Sequence, residues 1–140
     1  MLNDYQKRGL SITLRIVEEN VEYIEQLLKS RGYSGVLYET RYDLTDEIRD
    51  ELSKRIPLVR AELGRIADTF QLVKKNEAAS NAAFVKLPYC WEILENAKAK
   101  RLRQYGDIAE GLGGKLDPHL DTLIRILGEM ERILLVVRKS

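Results

Sequence analysis

Apolar positions recur along this chain at steps of three and four residues, the period of an α-helix with one side turned inward. The strongest pattern lies in Asp117 to Val137. There Leu120, Leu123, Leu127, Met130, Leu134 and Val137 fall on one stripe, and Ile124, Ile126, Ile133, Leu135 and Val136 spread apolar surface beside it. At about 100° per residue the run Ile133 to Val137 covers the whole circumference, and a turn that is apolar all round is normally enclosed on all sides. The pattern predicts that this last helix is the buried spine of the fold.

Three further helices precede it. The first is expected from a cap at Asn3 or Asp4 to about Arg31, with Gly32 as the stop. Its seam is Leu10, Leu14, Val17, Val21, Ile24 and Leu28; Ile12, Ile16, Tyr23 and Leu27 widen the apolar surface enough for two neighbours. Glu18, Glu22 and Glu25, with Glu19 beside them, form an acidic ridge. The second helix is expected to start at Thr45, a good cap followed by Asp46 and Glu47 at the positive end of the helix dipole. Ile48, Leu52, Val59, Leu63, Ile66, Phe70 and Val73 keep one register, with Arg55 at its single polar position. Because the register is the same on both sides of Pro57, the chain there reads as one kinked helix. Gly64 costs a mid-helix position about 1 kcal/mol against alanine, which predicts close approach by a neighbouring helix. The third helix is expected from Pro88 to about Gly111, with Trp91, Leu94, Ala97, Leu102, Tyr105, Ile108 and Leu112 on its apolar side. Its register breaks over Lys98 to Arg101. Gly111, Gly113 and Gly114 end it, and Asp117 and Pro118 read as cap and first residue of the last helix.

The connection Gly32 to Leu44 is long for a helix–helix loop. Val36, Tyr38, Tyr42 and Leu44 alternate with Glu39, Arg41 and Asp43, the period of an extended strand, but an isolated strand leaves backbone groups unpaired. A loop folded over the end of the helices is the favoured reading. Lys74 to Leu87 is expected to hold the turn between the second and third helices, with one or two helical turns before Pro88. The expected architecture is all-α: an antiparallel up-and-down four-helix bundle, with helix two kinked near Pro57, a long first loop, and residues 1–140 as a single domain.

Composition narrows the functional classes. Twenty-three Lys and Arg balance 22 Asp and Glu, for a net charge of +1, so there is no global field to gather nucleic acid or an anionic membrane. The single Cys90 excludes an intramolecular disulfide and fits a reducing compartment. Charged residues throughout the first twenty positions leave no room there for the apolar core of a signal peptide, and no apolar run approaches the roughly 20 residues that span a bilayer. The expectation is a cytoplasmic protein without membrane attachment.

Candidate chemistry is sparse. His119 is the only histidine, and Asp117-Pro118-His119-Leu120-Asp121 lacks the basic residue and glycine expected after a phosphotransfer histidine; in the first turn of a helix it reads as a solvated surface group. The Glu-x-x-His pairs of di-iron bundles are absent, and Asp46, Glu47, Asp50 and Glu51 are explained by the helix dipole. Cys90 has no histidine near it in sequence and reads as an inert thiol. Lys98, Lys100, Arg101 and Arg103, next to Tyr105, form the densest basic run and a possible nucleic-acid contact, although their side chains point to different sides of a helix and could also pair with the acidic ridge. Tyr33, Tyr38 and Tyr42 concentrate in the first loop, where amphipathic rings either cap the helices or meet a partner. No phosphate loop, dinucleotide fingerprint, nucleophile elbow or zinc spacing is present. No catalytic residue, metal or cofactor is therefore expected. The sequence points to a non-enzymatic interaction protein that forms a homodimer and binds another macromolecule, most plainly a protein. Tyr33, Tyr38, Tyr42, Ile133, Val136 and Val137 are its candidate contact residues, and nucleic-acid binding through the basic run is the alternative.

Overall fold

The computed structural model describes residues 1–139, with side chains through Arg138. The described residues are all-α, and their contacts gather into two compact units, Met1–Lys74 and the remainder from Lys75 on.

The first unit is a pair of long helices, α1 (Asp4–Ser30) and α2 (Asp46–Thr69). Asn3 caps α1 in both directions: its Oδ1 accepts from the Gln6 N–H at 2.8 Å, and its own N–H donates to Gln6 Oε1 at 2.9 Å, so two otherwise orphaned donors are satisfied. At the other end Arg31 turns left-handed, with φ 58°, and Gly32 follows at φ 99°. A Cβ on Gly32 would lie 2.9 Å from Thr40 Cβ and 3.1 Å from the Thr40 carbonyl oxygen, so this stop is glycine by space as well as by torsion. Thr45 caps α2 as expected, its Oγ1 accepting from the Ile48 N–H at 3.2 Å, and α2 runs as one helix through Pro57. It ends at Thr69, short of Val73, because Gln71 takes φ 55° and turns the chain. Solvent is lost along Leu10, Leu14, Val21 and Leu28 on α1 and along Ile56, Val59, Leu63, Ile66 and Phe70 on α2. Gly64 is not where a helix approaches: a Cβ there would meet nothing within 4 Å.

The connection between these helices is neither one extended strand nor a plain loop. The Gly35 N–H donates to the Tyr38 carbonyl at 2.9 Å and the Thr40 N–H to the Tyr33 carbonyl at 2.7 Å, with Ser34 bridged antiparallel to Glu39. The result is a very short hairpin whose turn is Val36-Leu37. Tyr42 and Leu44 are half-buried while Val36 is bare, so the alternation seen in the sequence does not mark one face.

The second unit is built on α6 (Leu112–Lys139), against which α3 (Ala79–Phe84), α4 (Leu87–Glu95) and α5 (Ala99–Leu102) pack; a 3-10 turn, Arg103–Tyr105, follows α5. The expected single third helix is thus broken. Asn96 closes α4, Lys98 is extended at ψ 155°, and Gly106 at φ 144° ends the 3-10 turn, so the lost register over Lys98 to Arg101 marked a real interruption. The expected start of the last helix is also corrected. Leu112 opens α6, Pro118 lies inside it, and Asp117 is no cap: its Oδ1 accepts from the Ala99 N–H at 2.9 Å and so holds the start of α5. Among the described residues there are three long helices and three short ones, a count that differs from the four helices expected.

The spine expectation fails for the isolated chain. Leu120 is buried and Leu134 and Leu135 are half-buried, but Ile133, Val136 and Val137 are 66%, 69% and 54% exposed. The reason is geometric: α3, α4 and α5 are too short to wrap a helix of 28 residues on every side. The far end of α6 is instead tied on one side, where the Arg138 guanidinium sits 4.6 Å from the centroid of the Phe84 ring.

Candidate functional site

The buried side chains among the described residues are Leu28 and Ile56 in the first unit and Leu87, Ala99 and Leu120 in the second, and none of them is completely closed off. That is a thin core for 140 residues, and it leaves apolar surface in organised stripes.

On α6, Leu123, Ile126, Met130, Ile133 and Val137 are all exposed, at alternating steps of three and four. By helical angle they lie beside the stripe of Leu120, Leu127 and Leu134 that faces the short helices, so α6 carries a second, open seam. Glu131 sits on the covered side, and its Oε1 is screened from solvent with no hydrogen-bond partner among the described residues, an arrangement that costs stability in the isolated chain.

The first unit carries the other surface. At the hairpin tip Val36 and Leu37 are 99% and 94% exposed, and behind them the Tyr33 and Tyr38 rings lie with centroids 5.2 Å apart. With Tyr23, Leu27 and Thr40 these rings line a shallow depression of about 300 Å³ at the end of α1. Tyr42 does not join them on the surface. Its ring is half-buried, with the Arg31 guanidinium 5.8 Å from its centroid, and its hydroxyl is enclosed with no hydrogen-bond partner among the described residues. The sequence reading missed the Val36-Leu37 tip because it set Val36 in the same alternation as Tyr38, Tyr42 and Leu44; Gly32 and Gly35, bracketing Tyr33, were the available signal of a tight reversal.

The acidic ridge has a structural partner that sequence reasoning did not assign. Arg60 grips Glu25 with both terminal nitrogens, at 3.0 and 2.9 Å, and reaches Glu22 at 2.8 Å. The Arg60 hydrogen bond holds the Glu25 carboxyl below its ordinary value, and the Glu25 contact in turn raises Arg60. Lys98, 26% exposed, lies 2.7 Å from Asp121 and 3.1 Å from Glu95, which raise its pKa, while Lys100 and Arg101, on a helix of only four residues, and Arg103, in the 3-10 turn after it, stay exposed. One of the four cations proposed for nucleic acid is therefore already neutralised locally. His119 is exposed on α6, and Cys90, half-buried, donates to the Lys86 carbonyl at 3.3 Å. Among the described residues no three His, Cys, Asp or Glu side chains converge in a way that could hold a metal ion, and no helix is long and apolar enough to cross a membrane.

Compared with protein-family models, with curated proteins and with solved structures, the chain matches none.

Proposed function

We propose that this protein is a non-enzymatic helical interaction protein of the cytoplasm that self-associates and presents apolar stripes to another macromolecule. One observation carries the reading. The chain exposes 11494 Å² of accessible surface. Two separate compact units, each of half the chain, would together expose about 9,000 Å² on the usual scaling of area with mass, about 2,500 Å² less than this chain does. A stable protein–protein contact needs about 800 Å² from each partner, so the excess suffices for a second copy and for a further partner. The open seam of α6, including Ile133 and Val137, and the Tyr33 to Tyr38 hairpin are the contact surfaces on this reading. The expected four-helix packing would then be completed between copies rather than within one.

Size-exclusion chromatography with light scattering tests it. At micromolar concentration the expected mass is twice that of the chain; the mass of a single chain would end the self-association part. Changing Ile133 to Glu places a charge on an already exposed position, and it is expected to reduce capture of the macromolecular partner without lowering helicity by circular dichroism. The nucleic-acid alternative rests on Lys100, Arg101 and Arg103 beside the exposed Tyr105. A salt-dependent gel shift with generic RNA or DNA that disappears when all three become alanine would favour it.

A further inference from the structure

Helix α1 is apolar on two opposite sides. Leu10, Leu14, Val21 and Leu28 lie on the side that packs with α2. At about 100° per residue, Tyr5, Ile12, Ile16 and Tyr23 fall within a narrow stripe on the other side, and all four are exposed. The steps along this stripe, read from the sequence, are seven, four and seven. They read the same in either direction, and so does the chemistry: tyrosine, isoleucine, isoleucine, tyrosine. A contact across a two-fold axis needs this property, because residue i must face j while j faces i.

We infer that a second copy of the chain docks antiparallel on this stripe, about a two-fold axis at the level of Leu14. Ile12 then meets Ile16 of the second copy, and Tyr5 meets its Tyr23. The inference rests on the self-association proposed above and names the seam that performs it. Two further features fit. Gly9 lies on the same stripe in mid-helix, where glycine costs about 1 kcal/mol against alanine, and a Cβ there would meet nothing within 4 Å in the single chain. Close approach of a second helix supplies the use for it. On the flank of the stripe, Arg8 of one copy comes within a residue of Glu19 of the other, so the antiparallel register sets opposite charges together at both ends. Arg15, nearest the axis, lies one turn from Glu19 of its own helix. The pairing produces a layer of four long helices in the order α2, α1, α1, α2. It uses neither the α6 seam nor the hairpin tip, the surfaces proposed above for a different partner.

The test is cross-linking in a Cys90→Ser background. Tyr5 and Tyr23 of one chain are about 27 Å apart along the helix, far beyond disulfide reach, so a Tyr5→Cys, Tyr23→Cys double variant can close only between copies. On air oxidation the double variant is expected to run as a covalent dimer on a non-reducing gel while each single variant stays monomeric. In parallel, Ile16→Glu is expected to weaken the dimer at least tenfold by light scattering at unchanged helicity, and Ile133→Glu to leave it intact. Dimers from the single variants would mean a parallel pairing and overturn the inference. A wild-type dimer that neither cross-links through the double variant nor responds to Ile16→Glu would place the second copy elsewhere, overturning this seam but keeping self-association. A wild type that is monomeric at tens of micromolar would overturn both.

Discussion

At the scale of single residues, Arg60 shows how one polar side chain fixes the match between two helices. Its guanidinium takes both oxygens of Glu25 and one of Glu22, and a bidentate pair has directional demands that apolar contacts lack. Glu25 is held below its ordinary 4.5 chiefly by that hydrogen bond. A depressed carboxyl contributes stability that is complete above its unfolded value and is lost as pH falls through the folded one. Arg60, already cationic and raised further, does not titrate in that range. Thermal melts of wild type and Arg60→Ala should therefore differ most at about pH 6 and draw together as the pH is lowered below 4.5. A gap that stays constant over that range would show that Arg60 acts only through its packing. Gly32 makes a different point: its φ of 99° and the nearness of Thr40 leave no place for a Cβ, and Gly32→Ala is expected to cost about 1–2 kcal/mol in denaturant unfolding.

At the scale of elements, the helices divide by what holds them. α1 and α2 carry their own caps, at Asn3 and Thr45, and a short list of buried side chains. Asn3→Ala should lower stability by about 1 kcal/mol, the usual worth of such a cap. The short helices of the second unit have no side-chain caps and depend on α6 for their place: α5 through the Asp117 acceptor and the Lys98 to Asp121 pair, α3 through Phe84 under Arg138. Leu120 is the buried residue of α6. Its truncation to alanine is expected to cost about 2–4 kcal/mol and to remove much of the helicity of the second unit, measured by circular dichroism in urea. A cost below about 1 kcal/mol would mean that the second unit is held by something other than this contact.

At the scale of the whole molecule, the excess surface is the central fact. A chain that leaves this much surface open, with apolar stripes in it, gains stability from any species that covers it, to a degree set by how much of that species is present. If the cover is a second copy, the melting temperature becomes a function of protein concentration. Raising the protein from about 1 µM to about 50 µM should raise it by several degrees, whereas a monomer would melt at one temperature throughout. Added salt separates the contributions: apolar contact persists where the exposed Arg and Glu pairs are screened.

Local chemistry was legible without coordinates. The Asn3 and Thr45 caps, the Gly32 stop, the passage of α2 through Pro57 and the all-α class all follow from interactions within a few residues, which the sequence states directly. The broken register at Lys98 to Arg101 was legible too, but its meaning was not: an interruption and a weakly amphipathic helix look alike until the neighbouring α6 accepts the Ala99 N–H through Asp117. The same limit explains the spine. Periodicity records that Ile133, Val136 and Val137 are apolar, but it does not record whether the partners that could cover them are long enough to reach, and that depends on where α3, α4 and α5 end. The sequence singled out Leu10, Leu14, Val21 and Leu28 as a seam of α1, but a stripe has the same spacing whether it faces α2 or solvent, so the openness of the Ile12, Ile16 and Tyr23 side was not legible. Tertiary contact decided it, by pairing Arg60 with Glu25 and withdrawing Leu28 on α1 and Ile56 on α2 from solvent. Amphipathic pattern fixes which residues seek cover; only the three-dimensional arrangement decides which of them find it within one chain.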